Sequence, residues 1–375
     1  MPARPPHIAL NALFLDPGVT GGPETYLRAL VPELVARAGG ARFTLLTSPR
    51  GARALRRDWN GLLPIVALPA DDDQPARRTL VETLYLPDLV RRRGFDLVHS
   101  LSNRGPLRAG ARHVVTVHDA IFFTHDTLGL VSTIGMRTVV RAAARRADAV
   151  ITDSAAASAE IARHVGIDPG SIAVVHLGAG RPAQVAPAPE PELRDRLGLG
   201  RSRVVLCVGA LRPHKNQELL VRALPHLPDD VTLVCAGHGE GYERRVRDLA
   251  GELGVGDRLV LPGYAAEADL EGLWRMAAAA AFPTRVEGFG LPVLEAMRRG
   301  VPVACSAIPV LREVAGDAAE WFDPEDPAAA AAAIERALGD GRGPEAGRAR
   351  AAEFTWERTA AATRAVYDRV LDGGA

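Results

Sequence analysis

A chain of 375 residues is long for one domain and comfortable for two, and its 45 basic side chains balance 45 acidic ones. That neutrality argues against general nucleic-acid binding, and no run reaches the roughly 18 apolar residues needed to cross a bilayer. Three cysteines, Cys207, Cys235 and Cys305, each sit inside an apolar run and read as buried thiols in a cytosolic, at most membrane-peripheral, protein.

Along the first half, β-branched apolar runs at 7–15, 43–47, 65–68, 96–100, 113–118, 149–152 and 172–176 alternate with helical periods such as 23–38. This alternation predicts parallel sheets in α/β units. Four features lie between the strands. The loop DPGVTGGPETYL (16–27) sets Gly21 and Gly22 before a helix, where they could cradle a phosphate or let a sugar approach the backbone, or simply make a tight turn. The run ADDDQ (70–74) holds an Asp-x-Asp of metal-diphosphate type, but its surroundings read as a solvated loop. A strand ends at His118 and Asp119, a histidine that could polarise a substrate beside an acid expected to fix its ring. Arg137, Arg141 and Arg145, four apart on a helix, form a basic stripe that reads as a solvated face before it reads as a membrane contact.

A proline- and alanine-rich stretch at 180–192 reads as a linker. A second strand series follows at 203–209, 231–237, 258–263, 279–284, 301–306 and 319–323, and the tail from 327 is helical. The predicted fold is therefore α/β, two doubly wound Rossmann-like domains facing across a cleft. The expected boundaries are 1–180, a linker at 181–200, a second domain at 201–354, and a C-terminal helix at 355–375 packing back on the first domain. The halves differ in charge, with 21 basic against 16 acidic residues up to 180 and 24 against 29 beyond.

Of the 45 basic residues, 44 are arginine; the sole lysine is Lys215. It lies with Arg212 and His214 in LRPHKNQ, directly before a helix whose dipole is already positive there. Cations placed so are unfavourable unless they serve an anion, and a diphosphate would repay them. Further on, RVEGFGLPVLEAMRRGVPV (285–303) carries Glu287 and Glu295 around a Gly-Phe-Gly turn. Pro292 suits a helix start and Gly300 a helix end. On this reading Glu295 falls in the first helical turn, Glu287 in the loop, and the N–H groups of 290 to 294 point outwards at an anionic ligand.

Together these motifs resemble the retaining GT-B glycosyltransferases of family 4, most strongly from 203 to 323. EGFGLPVLEA matches that family's E-x7-E signature, while AGHGE (236–240), LPGY (261–264), RPHKN and VPVACSAIPVLREVAGDAA look like its donor-domain blocks, and TGGPETYL and TVHD like its amino-domain loops. The resemblance implies hexose transfer from a nucleoside-diphosphate sugar to a glycan, lipid-linked or natural-product acceptor, with retention and no divalent metal or other cofactor. It implies a catalytic set of His118, Glu287, Lys215 and Arg212. It also implies a donor-binding set of Gly21, Gly22, Gly209, Gly237, Tyr264, Gly288, Phe289, Gly290, Leu291 and Glu295, with Glu295 on the ribose and Glu287 on the sugar. Many members carry an arginine after the glycine at Gly209, where this chain has Ala210, so the second diphosphate cation is Arg212 or His214. Competing readings are a nucleotide-sugar epimerase or hydrolase of similar fold and a non-catalytic nucleotide-sugar-binding module.

Overall fold

The computed structural model describes residues 4–70, 75–124, 130–180, 185–239, 241–339 and 341–373. They form two compact units, Met1–Gly178 with Thr355–Ala375, and Ala179–Phe354.

Unit 1 contains strands β1 (His7–Asn11), β2 (Arg42–Thr47), β3 (Ile65–Ala67), β4 (Leu97–Ser100), β5 (Arg112–Thr116), β6 (Ala149–Thr152) and β7 (Ile172–Val174). They pair in parallel in the order β3-β2-β1-β4-β5-β6-β7. Unit 2 contains β8 (Arg203–Val208), β9 (Val231–Ala236), β10 (Leu259–Gly263), β11 (Ala277–Phe282), β12 (Val303–Ser306) and β13 (Glu320–Phe322), parallel in the order β10-β9-β8-β11-β12-β13. Each sheet thus reverses its strand order once, between β1 and β4 and between β8 and β11. Such reversals open a crevice beyond the carboxyl ends of the strands, where α/β sheets hold ligands. Helices cover the sheets, so a central strand such as β9 is buried along its whole length and reads as a continuous apolar run. All three thiols are buried.

The segment expected to be a linker is structured where it is described. Helix Glu190–Arg196 lies within it, Leu193 is buried, and the Ala188 amide donates to the Ala268 carbonyl at 2.9 Å. The proline-rich composition misled because one buried leucine and a main-chain bond suffice to hold so short a helix on unit 2.

The C-terminal helix Trp356–Leu371 buries Trp356, Thr359, Thr363, Val366, Tyr367 and Val370 at helical spacing and belongs to unit 1. Its Tyr367 hydroxyl meets His99 Nδ1 at 2.5 Å, and His99 Nε2 meets Thr116 Oγ1 at 2.8 Å. His113 Nε2 lies 3.1 Å from Ser100 Oγ. Burial, with the nearby His113 and His118 rings, pushes His99 down to about 3; burial pushes His113 down to about 4 against a raising pull from Asp148. Both rings are neutral in the fold but take up a proton on unfolding once the pH is below their ordinary 6.5. Stability is therefore present above that value and is lost as pH falls towards the folded values, by up to about 1.4 kcal/mol per pH unit and group. We expect histidine-selective NMR at pH 5.5 to show both rings neutral and the urea midpoint to fall between pH 7 and 5. Charged rings at pH 5.5 would contradict this.

Candidate functional site

In unit 2 the loops after β8 and β11 are tied together at the reversal point. Asn216 adopts a left-handed backbone, with φ 59°, which asparagine tolerates better than most residues. Its buried Nδ2 donates to the carbonyls of Pro283 at 3.0 Å and Pro324 at 2.8 Å. The His214 carbonyl in turn accepts from Thr284 Oγ1 at 3.1 Å and from the Arg285 amide at 2.9 Å. These bonds bring Lys215 Nζ onto Glu287 Oε2 as an ion pair, with side chains only 24% and 17% exposed. The pair borders a pocket also lined by Cys207, Gln217, Thr284, Gly290 and Leu311. The anion that the lysine needed is thus supplied at rest by the chain itself, from 72 residues further on. Nothing in the local sequence signals that partnership.

Helix Leu291–Arg299 begins after Gly290, whose φ is 99° and where a Cβ would stand 2.6 Å from Leu311 Cδ2. The left-handed backbone favours glycine, and any Cβ there would also have to push the Leu311 side chain aside. The expectation of free amides from 290 to 294 is corrected. Pro292 has none, and Val293 and Leu294 donate to the Gly290 carbonyl, which leaves Gly290 and Leu291 without an acceptor among the described residues. Glu295 is also relocated, since it is the fifth residue of the helix and sits in its second turn. There its carboxylate makes no hydrogen bond or ion pair among the described residues. Burial lifts its pKa above the ordinary carboxylate range, with Arg299 pulling it down and Glu271 pushing it up. Arg299 and Glu271 pair with each other beside it. Gly180 passes so close that a Cβ there would lie 2.6 Å from Glu295 Cγ, a contact the sequence did not flag.

The remaining donor candidates fall into two kinds. Gly209, Gly237 and Gly263 let main chains approach: the Gly237 amide donates to the Gly263 carbonyl at 2.9 Å, and a Cβ on Gly237 would lie 1.9 Å from the Gly209 carbonyl oxygen. Tyr264, the next residue, is 73% exposed and offers a bare aromatic face. Phe289 is different, because its ring is buried edge-on against Phe354 at 5.9 Å and is not itself a surface for a ligand. Arg212 is exposed and its guanidinium has no bond among the described residues, whereas the His214 side chain is buried. Of the two candidates for a second cation, Arg212 is the more accessible.

In unit 1, His118 follows β5 and is 8% exposed. Its Nδ1 meets Asp153 Oδ2 at 2.8 Å and its Nε2 faces the Leu101 carbonyl at 3.1 Å. Only a doubly protonated ring donates to both. Burial, the largest single influence, pulls its pKa down, but Asp153, Asp119 and the Leu101 carbonyl together leave it raised, while burial raises the pKa of Asp153 as well. The orienting acid is therefore Asp153, at the carboxyl end of β6, and not Asp119, whose Oδ1 accepts from the Ile121 amide at 3.0 Å. The strand-end rule that picked out His118 applies equally to Asp153. Gly21, with φ 71°, and Gly22 open the helix Gly22–Ala36, and a Cβ on either would meet nothing within 4 Å. The basic stripe lies at the surface, Arg141 and Arg145 exposed and Arg137 half-buried, and each arginine also donates Nε to a carbonyl, of Phe122, His164 and Val165, at 2.7–2.9 Å. Asp71–Asp73 and Glu240 lie outside the described residues, among which no group of three or more His, Cys, Asp or Glu side chains could hold a metal ion.

This arrangement agrees with what the chain is similar to. Residues 20–179 match the model for Glycosyltransferase Family 4 and residues 189–354 that for Glycosyl transferases group 1. A GDP-mannose-dependent alpha-(1-6)-phosphatidylinositol monomannoside mannosyltransferase of Mycolicibacterium smegmatis is 30% identical over 308 residues, 76% of each chain. A D-inositol 3-phosphate glycosyltransferase of Xylanimonas cellulosilytica is 34% identical over 59% of this chain and 56% of its own, so the chain spans about half the length of several curated relatives it matches. Among solved structures, sucrose-phosphate synthase of Thermosynechococcus elongatus superposes with a TM-score of 0.75 at 23% identity, over 98% of this chain and 100% of that one. HepE of Anabaena, solved with UDP and glucose, gives 0.74 at 19%, over 97% and 99%, and both share the GT-B fold. The chain belongs to the family 4 glycosyltransferases.

Proposed function

We propose that the protein transfers a hexose, of mannose or glucose type, from a nucleoside-diphosphate sugar to a hydroxyl of its acceptor, with retention and without a divalent metal. The Lys215–Glu287 pair at the β8/β11 reversal point carries this reading. A half-buried ion pair beside an open pocket is a cation held ready and a carboxylate held ready. When a diphosphate enters, Lys215 exchanges the Glu287 carboxylate for phosphate oxygens, and Glu287 is released to accept from sugar hydroxyls. Arg212 and the amides of Gly290 and Leu291 add positive potential on the same side. As the bond between anomeric carbon and phosphate oxygen breaks, negative charge builds on the leaving diphosphate, and these groups stabilise it more than they stabilise the bound ground state. Glu295, unpaired and partly buried, takes the ribose hydroxyls, and the Tyr264 ring borders the base. His118, bonded to Asp153 and facing the Leu101 carbonyl, has both ring nitrogens engaged and acts by its position at the strand end.

The direct test is incubation with labelled UDP-glucose and GDP-mannose, in excess chelator, over a panel of hydroxyl acceptors. Transferred label is expected, whereas free sugar alone, an epimer, or turnover restored only by magnesium or manganese would refute the proposal.

Substitutions divide the roles. Glu287→Gln should leave the affinity for the free nucleoside diphosphate unchanged or tighter, because no carboxylate then competes for Lys215, yet should lower the transfer rate by at least about a hundredfold. Glu295→Ala should weaken nucleotide binding at least about tenfold. Calorimetry beside initial rates reads both, and equal loss of affinity in the two variants would contradict the division.

Lys215→Arg should lower kcat/KM by a factor of about 10–1000, because a planar fork cannot occupy the space of a compact ammonium. Its thermal melt should match the wild type. Wild-type kinetics would show that a lysine is not required there.

A further inference from the structure

Resting on the reading of Glu295 as the ribose acceptor, we infer that Glu271 is a positioning residue for that carboxylate: it draws Arg299 aside and so leaves Glu295 free for the hydroxyls of a ligand. Glu295 and Arg299 stand four apart on the helix Leu291–Arg299, with the glutamate first. That is the order and spacing at which a glutamate and a cation pair most readily along a helix. Here they do not pair. Arg299 gives Nε to Glu271 Oε2 at 3.1 Å and a terminal nitrogen to the other oxygen, while its second terminal nitrogen donates to the main-chain carbonyl of Glu295 at 3.0 Å. The guanidinium thus lies beside Glu295 without bonding its carboxylate. After burial, Arg299 and then Glu271 are the influences that carboxylate feels most, the first pulling its pKa down and the second pushing it up.

Two features hold the arginine where it is. A forked contact with both oxygens of Glu271 is stronger and more directional than a single one, and it is sheltered, with side chains 15% and 18% exposed for Glu271 and Arg299. Trp274, three residues after Glu271 on the helix Glu267–Met276, sets its ring 5.5 Å from the guanidinium carbon. Arg298 is no substitute partner for Glu295, since it is exposed and donates to the Ala179 carbonyl at 3.3 Å. Two carboxylates therefore share the neighbourhood of one guanidinium, and Glu271 takes its hydrogen bonds. A carboxylate forked to an arginine has little left for a pair of neighbouring hydroxyls. The half-buried Glu295, near the charge but not bonded to it, keeps the lone pairs of both oxygens to offer. With Glu271 neutral, Arg299 would close on Glu295 and occupy the acceptor.

Glu271→Gln keeps the shape of the side chain and removes its charge. A crystal structure of the free variant should show the Arg299 guanidinium on the Glu295 carboxylate; a guanidinium that stays off it overturns the inference, whatever Glu295 binds. By calorimetry the variant should bind UDP or GDP, whichever the wild type binds more tightly, at least about tenfold more weakly. It should also lose most of the wild-type preference over the 2′-deoxy form of the same nucleotide. Glu271→Gln/Arg299→Met removes the intruding cation as well and should recover affinity and preference to within about threefold of the wild type. An ion pair that only joins two helices would instead give losses that add and that fall equally on ribo and deoxy nucleotides, and that result would overturn the inference too. Thermal melts check the folding of both variants. The ribose reading fails separately. If Glu295→Ala leaves the preference for the ribonucleotide intact, Glu295 is not the ribose acceptor, and the free structure of Glu271→Gln still decides whether Glu271 diverts Arg299.

Discussion

The ion pair between Lys215 and Glu287 is the contact to which the donor-side geometry is fitted. Two opposite charges half out of water are costly unless their geometry is fixed, and removing one leaves the other stranded. The surrounding bonds do the fixing. Asn216 ties the lysine loop to Pro283 and Pro324, the His214 carbonyl ties it to Thr284 and Arg285, and Gly290 lets the chain turn into its helix against Leu311. Because both charges already have partners, Lys215 is not a bare cation at rest. On the proposed reading, an incoming diphosphate displaces a carboxylate and frees Glu287 for the sugar, so that one exchange of partners couples donor affinity to sugar recognition.

The polar groups of unit 1 follow another pattern. His99, Thr116 and Tyr367, His113 and Ser100, and His118 with Asp153 form closed sets in which rings are satisfied internally. They fix the ends of β4, β5 and β6, and through Tyr367 they fasten the C-terminal helix to the sheet. Within this group the histidines separate by charge. Burial, joined for His99 by the neighbouring rings, pushes His99 and His113 down, while a buried carboxylate helps to hold His118 up.

Much of the fold was legible in the sequence, because parallel strands buried on both faces must be apolar and β-branched, and all thirteen runs read as strands are strands. The donor loops were legible as types, since glycine, lysine and glutamate at strand ends have few bland uses in combination. What escaped were long-range partnerships. Lys215 meets Glu287 across 72 positions and His118 meets Asp153 across 35, and only the sheet order decides that these loops adjoin. Local signals also misled where helix start and side-chain bonding compete. Pro292 is the second helical residue, which moves Glu295 out of the first turn.

Because Lys215 is the only lysine in the chain, it can be watched alone. Protein grown on lysine labelled at Cε and Nζ gives a single side-chain resonance, which reports the ion pair at rest. If the diphosphate takes Lys215 from Glu287, that resonance will shift saturably with UDP or GDP and stay still with uridine or guanosine. A resonance that does not move when calorimetry shows the nucleoside diphosphate bound would place the diphosphate elsewhere and contradict the account.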